Sequence, residues 1–209
     1  MNSNFKHLSL TISFIVCLIS CSSNSNEIQV SYDVVAEAVD LGLSVKWASH
    51  NLGATSPTEF GGYYSFGETD IKTEYTDETY MFAKNRIVSN ISGTSGDAAK
   101  VHWGNGWRIP TKIEIDELRS KCNWEYTKID DVEGFRITGP SGNSIFLPCA
   151  SDVYGTDIPS PKSAGVLHYT SSTPCESAVC YVYACDEYDT TGHWMETYGV
   201  TGTPIRPVQ

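Results

Sequence analysis

A chain of 209 residues, 40% hydrophobic and 11% aromatic, is long enough to bury one core and too short to add a second full domain. Its 14 basic residues against 25 acidic ones give a formal charge of −11. With no Lys/Arg cluster to follow a phosphate backbone, nucleic acid is excluded as an expected partner, and an anionic membrane surface would repel the chain unless a hydrophobic or covalent device holds it there.

The first segment supplies such a device. Lys6 and His7 precede the apolar run Leu8–Ile19, and Ser20 stands before Cys21. About twelve apolar residues are too few to cross a bilayer core as a helix, which takes roughly 20, and the arrangement is that of an export signal. Leu18-Ile19-Ser20-Cys21 resembles a bacterial lipobox. That resemblance implies cleavage ahead of Cys21 and acylation of its sulfur. It divides the chain into a signal peptide (1–20), a lipidated cysteine and tether (21–37) and one globular domain (38–209). The expected membrane contact is the lipid on Cys21, because several acyl chains anchor firmly where one binds marginally. The expected destination is the outer membrane or cell surface.

Within the domain, Leu41, Leu43 and Val45 alternate with Gly42, Ser44 and Lys46, the period of a strand with one buried face. The next stretch, EFGGYYSFGETDIKTEYTDETY, is rich in glycine, tyrosine and acid. Its five acids from Glu68 to Glu78 lack the spacing of an EF-hand loop and read as a solvated loop. A polar run from Asn85 ends at Asp97-Ala98-Ala99, which opens a short turn or helix.

WGNGWRIPTKIEIDEL, from Trp103 to Leu118, holds the clearest local signal. Thr111 followed by Glu114 is a capping box, so a helix starts there. Ile115, Leu118 and Cys122 form its apolar stripe, and Arg119 and Lys121 suit the negative end of its dipole. Gly104 and Gly106 let the backbone turn tightly between Trp103 and Trp107. WEYTKI, FRIT and SIFLP then read as an antiparallel meander with turns at Asp130–Gly134 and Gly139–Asn143. LHYTSST, VCYVYAC and TPIRPVQ follow a long irregular segment. Many short strands and few helices make the fold class α+β.

Five cysteines lie in the domain: Cys122, Cys149, Cys175, Cys180 and Cys185. An oxidising compartment permits disulfides, and an odd number leaves one thiol free or paired between chains. Residues five apart on one strand face opposite ways, so Cys180 and Cys185 do not pair within a continuous strand. Cys175 with Cys180, and Cys122 with Cys149, stay open as pairings. The cysteine spacing, with His193 beyond, lacks the close CxxC pairs of zinc sites. No metal or cofactor is expected.

Several segments carry a resemblance in order along nearly the whole mature chain: Val39–Ala48, Gly61–Glu68, Asp97–Ala99, Trp103–Thr111, Ile145–Pro148 and Ile205–Val208. Together they resemble the Fibrobacter succinogenes major paralogous domain, abundant in lipoproteins of Bacteroides-like bacteria. The resemblance implies a C-type lectin-like fold: an irregular antiparallel sheet with one or two short helices and long loops. It also implies that Val39–Val45 and Ile205–Val208 are neighbouring strands. Trp107–Thr111 with Glu114 is similar to a helix-opening segment of the formylglycine-generating, sulfatase-modifying group. The chain departs from the family at Tyr169-Thr170-Ser171-Ser172, where Tyr-Trp-Ser-Ser is common, and most of all between Cys175 and Tyr198.

Catalytic signals are weak beside this. GTSGD and GPSGN are one residue short of a nucleophile elbow, and neither lies between a hydrophobic strand and a helix. His50, His102, His168 and His193 show no HExxH spacing. The calcium-binding Glu-Pro-Asn and Gln-Pro-Asp triplets of sugar-binding lectins are absent from the sequence. The expected function is a non-catalytic binding or adhesion module for a glycan or protein ligand. An enzyme related to the formylglycine-generating group and a purely structural envelope lipoprotein are the alternatives. The expected ligand-binding residues are His193, Trp194, Glu196 and Tyr198, in a loop that joins aromatic area to polar groups.

Overall fold

The computed structural model describes residues 30–159, 165–175, 180–186, 188–189 and 192–209, without the side chains of 180–182. The expected signal peptide, Cys21 and the first part of the tether lie outside the described residues. In chain order the elements are β1 (Ala38–Val39), β2 (Trp47–Ala48), β3 (Tyr63–Tyr64), α1 (Ala98–Trp103), α2 (Lys112–Lys121), β4 (Asn123–Ile129), β5 (Val132–Thr138), β6 (Ser144–Pro148), β7 (Leu167–Pro174), β8 (Cys180–Cys185), β9 (His193–Thr197) and β10 (Thr203–Pro204). The fold is mostly antiparallel β with two short helices, and its sheets are small and open: β1–β2, β3–β10, β4–β5–β6 and β7–β8–β9.

The helices start where the caps dictate. Thr111 sits in extended backbone, its hydroxyl accepts the Glu114 amide, and the Glu114 carboxylate accepts the Thr111 amide at 2.7 Å. Ile115 and Leu118 bury the apolar stripe of α2, and Cys122 closes it. Asp97 caps α1 from a fully buried position, accepting amides of Gly93 at 2.7 Å, Lys100 at 3.1 Å and Ile109 at 3.0 Å. Between the helices Gly104, Asn105 and Gly106 all have positive φ, at 58°, 46° and 89°. This turn sets Trp103 edge-on to Trp107 with ring centroids 5.5 Å apart.

The β4–β5–β6 meander forms in the expected place. Its first turn is tighter than expected, because Asp130 and Asp131 (φ 50° and 63°) make a two-residue hairpin and β5 begins at Val132. The expected strand over Leu41–Val45 does not form. Gly42 at φ 77° bends the chain, and the segment becomes the loop between β1 and β2. Leu41 is nevertheless fully buried, and Ser44 is held by Glu117 of α2 at 3.1 Å through its amide. The neighbour of the C-terminal segment is therefore the stretch from Lys46 to Leu52 rather than Val39–Val45. The amides of Lys46, Ala48 and Leu52 bond the carbonyls of Gln209, Pro207 and Ile205 at 3.0, 2.9 and 3.0 Å.

One core cluster gathers α1, Trp107, Tyr64 and Phe66; a second lies between α2 and the two three-stranded sheets. Arg206 joins the elements around them from a site only 1% exposed. Its guanidinium donates to Asn51 Oδ1 at 2.8 Å, the Ala48 carbonyl at 3.0 Å and the Phe146 carbonyl at 2.8 Å. Asn51 in turn donates to the Phe60 carbonyl at 2.9 Å and the Tyr169 hydroxyl at 2.8 Å. Burial lowers the Arg206 pKa, opposed by the adjacent Tyr169.

Candidate functional site

The segment expected to be a recognition loop is largely strand. His193, Trp194 and Glu196 lie on β9, and Tyr198 stands in the turn that follows. Adjacent strand residues face opposite ways, so Trp194 and Glu196 share a face and His193 is on the other. The Trp194 indole N–H donates to Asp116 Oδ1 of α2 at 2.7 Å, the Lys112 ammonium sits 4.7 Å above its ring, and Tyr183 meets it edge-on at 5.4 Å. These contacts join β9 to α2. His193 is exposed, its Nδ1 3.0 Å from Asp189 Oδ2, and Glu196 and Tyr198 are exposed as well. The aromatics of the glycine- and tyrosine-rich stretch, Tyr63, Tyr64 and Phe66, are core residues at 1%, 2% and 4% exposure.

A different place on the surface has the shape of a binding site. Three turns, at 67–72, 79–82 and 95–96, enclose an open cleft of about 420 Å³. Its wall is fixed by Glu68, which accepts the Met81 amide at 2.6 Å with one oxygen and the Lys72 ammonium at 2.7 Å with the other. Lys72 also donates to the Thr79 carbonyl at 3.3 Å. From beneath, the Tyr80 hydroxyl donates to the Phe66 carbonyl at 2.9 Å, and the Phe66 amide bonds the Gly199 carbonyl at 2.8 Å. His102 holds the Thr69 carbonyl at 2.7 Å. Gly67 sits at φ 83°, backbone that favours glycine, and a Cβ there would also displace the end of Ile87. Asp70, Thr79 and Ser95 present polar groups to the cleft, and Phe82 and Met81 present apolar surface.

The acid-rich stretch is thus only partly the solvated loop that its composition suggests. Glu68 is only 9% exposed, and it organises the turn that carries Asp70. The sequence signal was the glycine at either side of the wall, Gly67 and Gly96. Neither glycine announces in sequence that the two turns touch.

A second group of polar residues lies at the start of β7. His168 Nδ1 is 3.1 Å from Asp152 Oδ1, and Ser151, at φ 52°, bonds the same carboxylate. Burial pushes the Asp152 carboxyl up, but His168 and Ser151 outweigh it and leave it below its ordinary value. A serine nucleophile needs its hydroxyl on the imidazole; here the bond from Ser151 goes to the carboxylate instead. Burial lowers the pKa of His50, whose Nδ1 is 3.1 Å from the Asn51 carbonyl oxygen. Among the described residues no three His, Cys, Asp or Glu side chains are grouped to hold a metal ion. No protein-family model, curated protein or solved structure matches the chain.

Proposed function

We propose that the chain is an exported lipoprotein, anchored through Cys21 at the outer membrane or cell surface, whose domain is a non-catalytic binding module. The observation that carries this reading is the cleft between residues 67 and 96. It is an open recess whose wall is held by buried Glu68 paired with Lys72, with carboxylate, hydroxyl and aromatic groups around it. Carboxylates and hydroxyls bond the hydroxyls of a sugar while an aromatic ring covers its C–H face, so a glycan is the favoured ligand. The finer description of the fold as C-type lectin-like belongs to the same proposal. Support for it comes from the pairing of residues 46–52 with 205–209 and from long loops on a small β scaffold.

The test uses a soluble form beginning at Ser22, displayed to glycan and protein arrays. Phe82→Ala and Asp70→Asn should each lower affinity at least tenfold with Tm within about 2 °C of the parent, since surface changes away from core features cost little. Binding that survives both substitutions and is lost in Tyr198→Ala would move the site to the turn after β9. The anchor has its own measurement: Cys21→Ala should release the protein from the membrane fraction of the native cell. A variant that still pellets and resists a high-salt wash would place the anchor elsewhere.

A further inference from the structure

Cys149 and Cys185 are both core residues, 0% and 2% exposed, in the cluster between α2 and the two three-stranded sheets. Cys149 follows β6 directly, and the chain around it is tied to β7 and to the residue just ahead of β7. The Tyr169 hydroxyl donates to the Pro148 carbonyl at 3.3 Å, and the Ser151 amide bonds the Val166 carbonyl at 2.8 Å. Those two attachments bracket Leu167, whose cross-strand partner on β8 is Cys185. The backbone therefore brings both cysteines to the buried start of β7, within one core cluster. We propose that Cys149 and Cys185 form a disulfide in the mature protein, a pairing that ties the end of β6 to the end of β8.

The electrostatics agree with that placement. Burial pushes the Cys185 thiol up first, and Cys149 is the next contributor, ahead of Asp189 and Asp186. Burial likewise pushes Cys149 up to about 12, with Glu133 and Asp186 adding to it. Cys122 is raised by burial and then by Glu117, and it is absent from the groups that raise Cys149. It caps α2 at the margin of the cluster, so the pairing of Cys122 with Cys149 left open by the sequence is the weaker one. The described cysteines Cys122, Cys149, Cys175 and Cys185 are thiols in this structure.

Thiolates attack disulfides and buried, protonated thiols do not, so the bond has to form before the core closes. The oxidant is a disulfide, such as oxidised glutathione or a disulfide-carrying envelope protein. The Cys149 thiolate attacks one of its sulfurs and expels the other as a thiolate. The Cys185 thiolate then attacks the Cys149 sulfur of the mixed disulfide and expels the second. Two protein thiols lose two protons and two electrons, and one oxidant disulfide becomes two thiols. In the cell this rests on the export proposed above, because reducing compartments keep such thiols apart.

Two arms separate the pairing from the export. In the first, the mature chain is refolded in oxidised and reduced glutathione, alkylated under denaturing conditions, digested without reductant and mapped by mass spectrometry. A linked peptide pair holding Cys149 and Cys185, two hydrogens lighter than the free peptides, is expected. Reductant should lower the Tm of this material by about 5–15 °C, and should leave Cys149→Ala unchanged. Alkylation of both residues, or predominant linkage of either to another cysteine, overturns the pairing. The second arm alkylates the protein as it is drawn from its native cell. Linkage after refolding with free thiols in the cell upholds the pairing and overturns the export.

Discussion

Arg206 is the residue on which most of the fold converges. Its guanidinium reaches the carbonyls of Ala48 and Phe146 and the Asn51 amide oxygen, and all three of these buried acceptors lose a charged donor if it is removed. Arg206→Met should cost about 3–5 kcal/mol, from several hydrogen bonds to a charged group lost at once, read as a shift of the urea midpoint. Arg206→Lys should recover little of it, since an ammonium does not reproduce a planar fork aimed at three separate oxygens. Glu114 supplies a pH dependence of known sign. Burial raises its pKa, but Arg108 and Thr111 together hold it below the ordinary 4.5. A depressed carboxyl contributes stability above its unfolded pKa and loses it as pH falls through the folded one. Between pH 5 and pH 3 the parent should therefore lose more stability than Glu114→Gln. Thr111→Ala should cost roughly 0.5–2 kcal/mol through the same cap, and an unchanged Tm would remove the cap from the account.

At the scale of elements, the joint between α2 and β9 decides what Trp194 is for. Its indole donates to Asp116 and lies under Lys112, so a double-mutant cycle between Trp194→Phe and Asp116→Ala should show coupling of at least about 0.5 kcal/mol. Additive effects would mean that the two residues act separately and would free Trp194 for a ligand. This joint was not legible in the sequence, whereas α2 itself was. A capping box is a contact between residues three apart, written into the chain; the Asp116–Trp194 bond spans 78 positions. The same difference explains Leu41–Val45. Alternation correctly marked Leu41 as a core residue, but a strand also needs a partner, and the positive φ at Gly42 turns the segment away from one.

For the whole molecule, local signals located the meander, α2 with its capping box, and a turn or helix opening at Asp97–Ala99, while long-range contacts position the cleft. Glu68, Gly96 and Phe82 lie in three turns with no common motif, so the acidic stretch read as solvent-facing loop until Glu68 was seen to hold the Met81 amide. The C-terminal segment is the largest such contact. It closes on Lys46, Ala48 and Leu52, bridges Arg108 through Val208, and supplies Arg206 to acceptors as many as 158 positions earlier. Removing residues 203–209 should abolish cooperative unfolding rather than lower its midpoint, as measured by urea titration of tryptophan fluorescence. The consequence concerns timing. Synthesis runs from the N-terminus, so Ala48, Asn51 and Phe146 all leave the ribosome before Arg206 does. Until that segment emerges, the growing chain lacks the guanidinium that ties these three groups together. Closure of this core therefore waits on Arg206, which is made 60 residues after the Phe146 carbonyl that it satisfies.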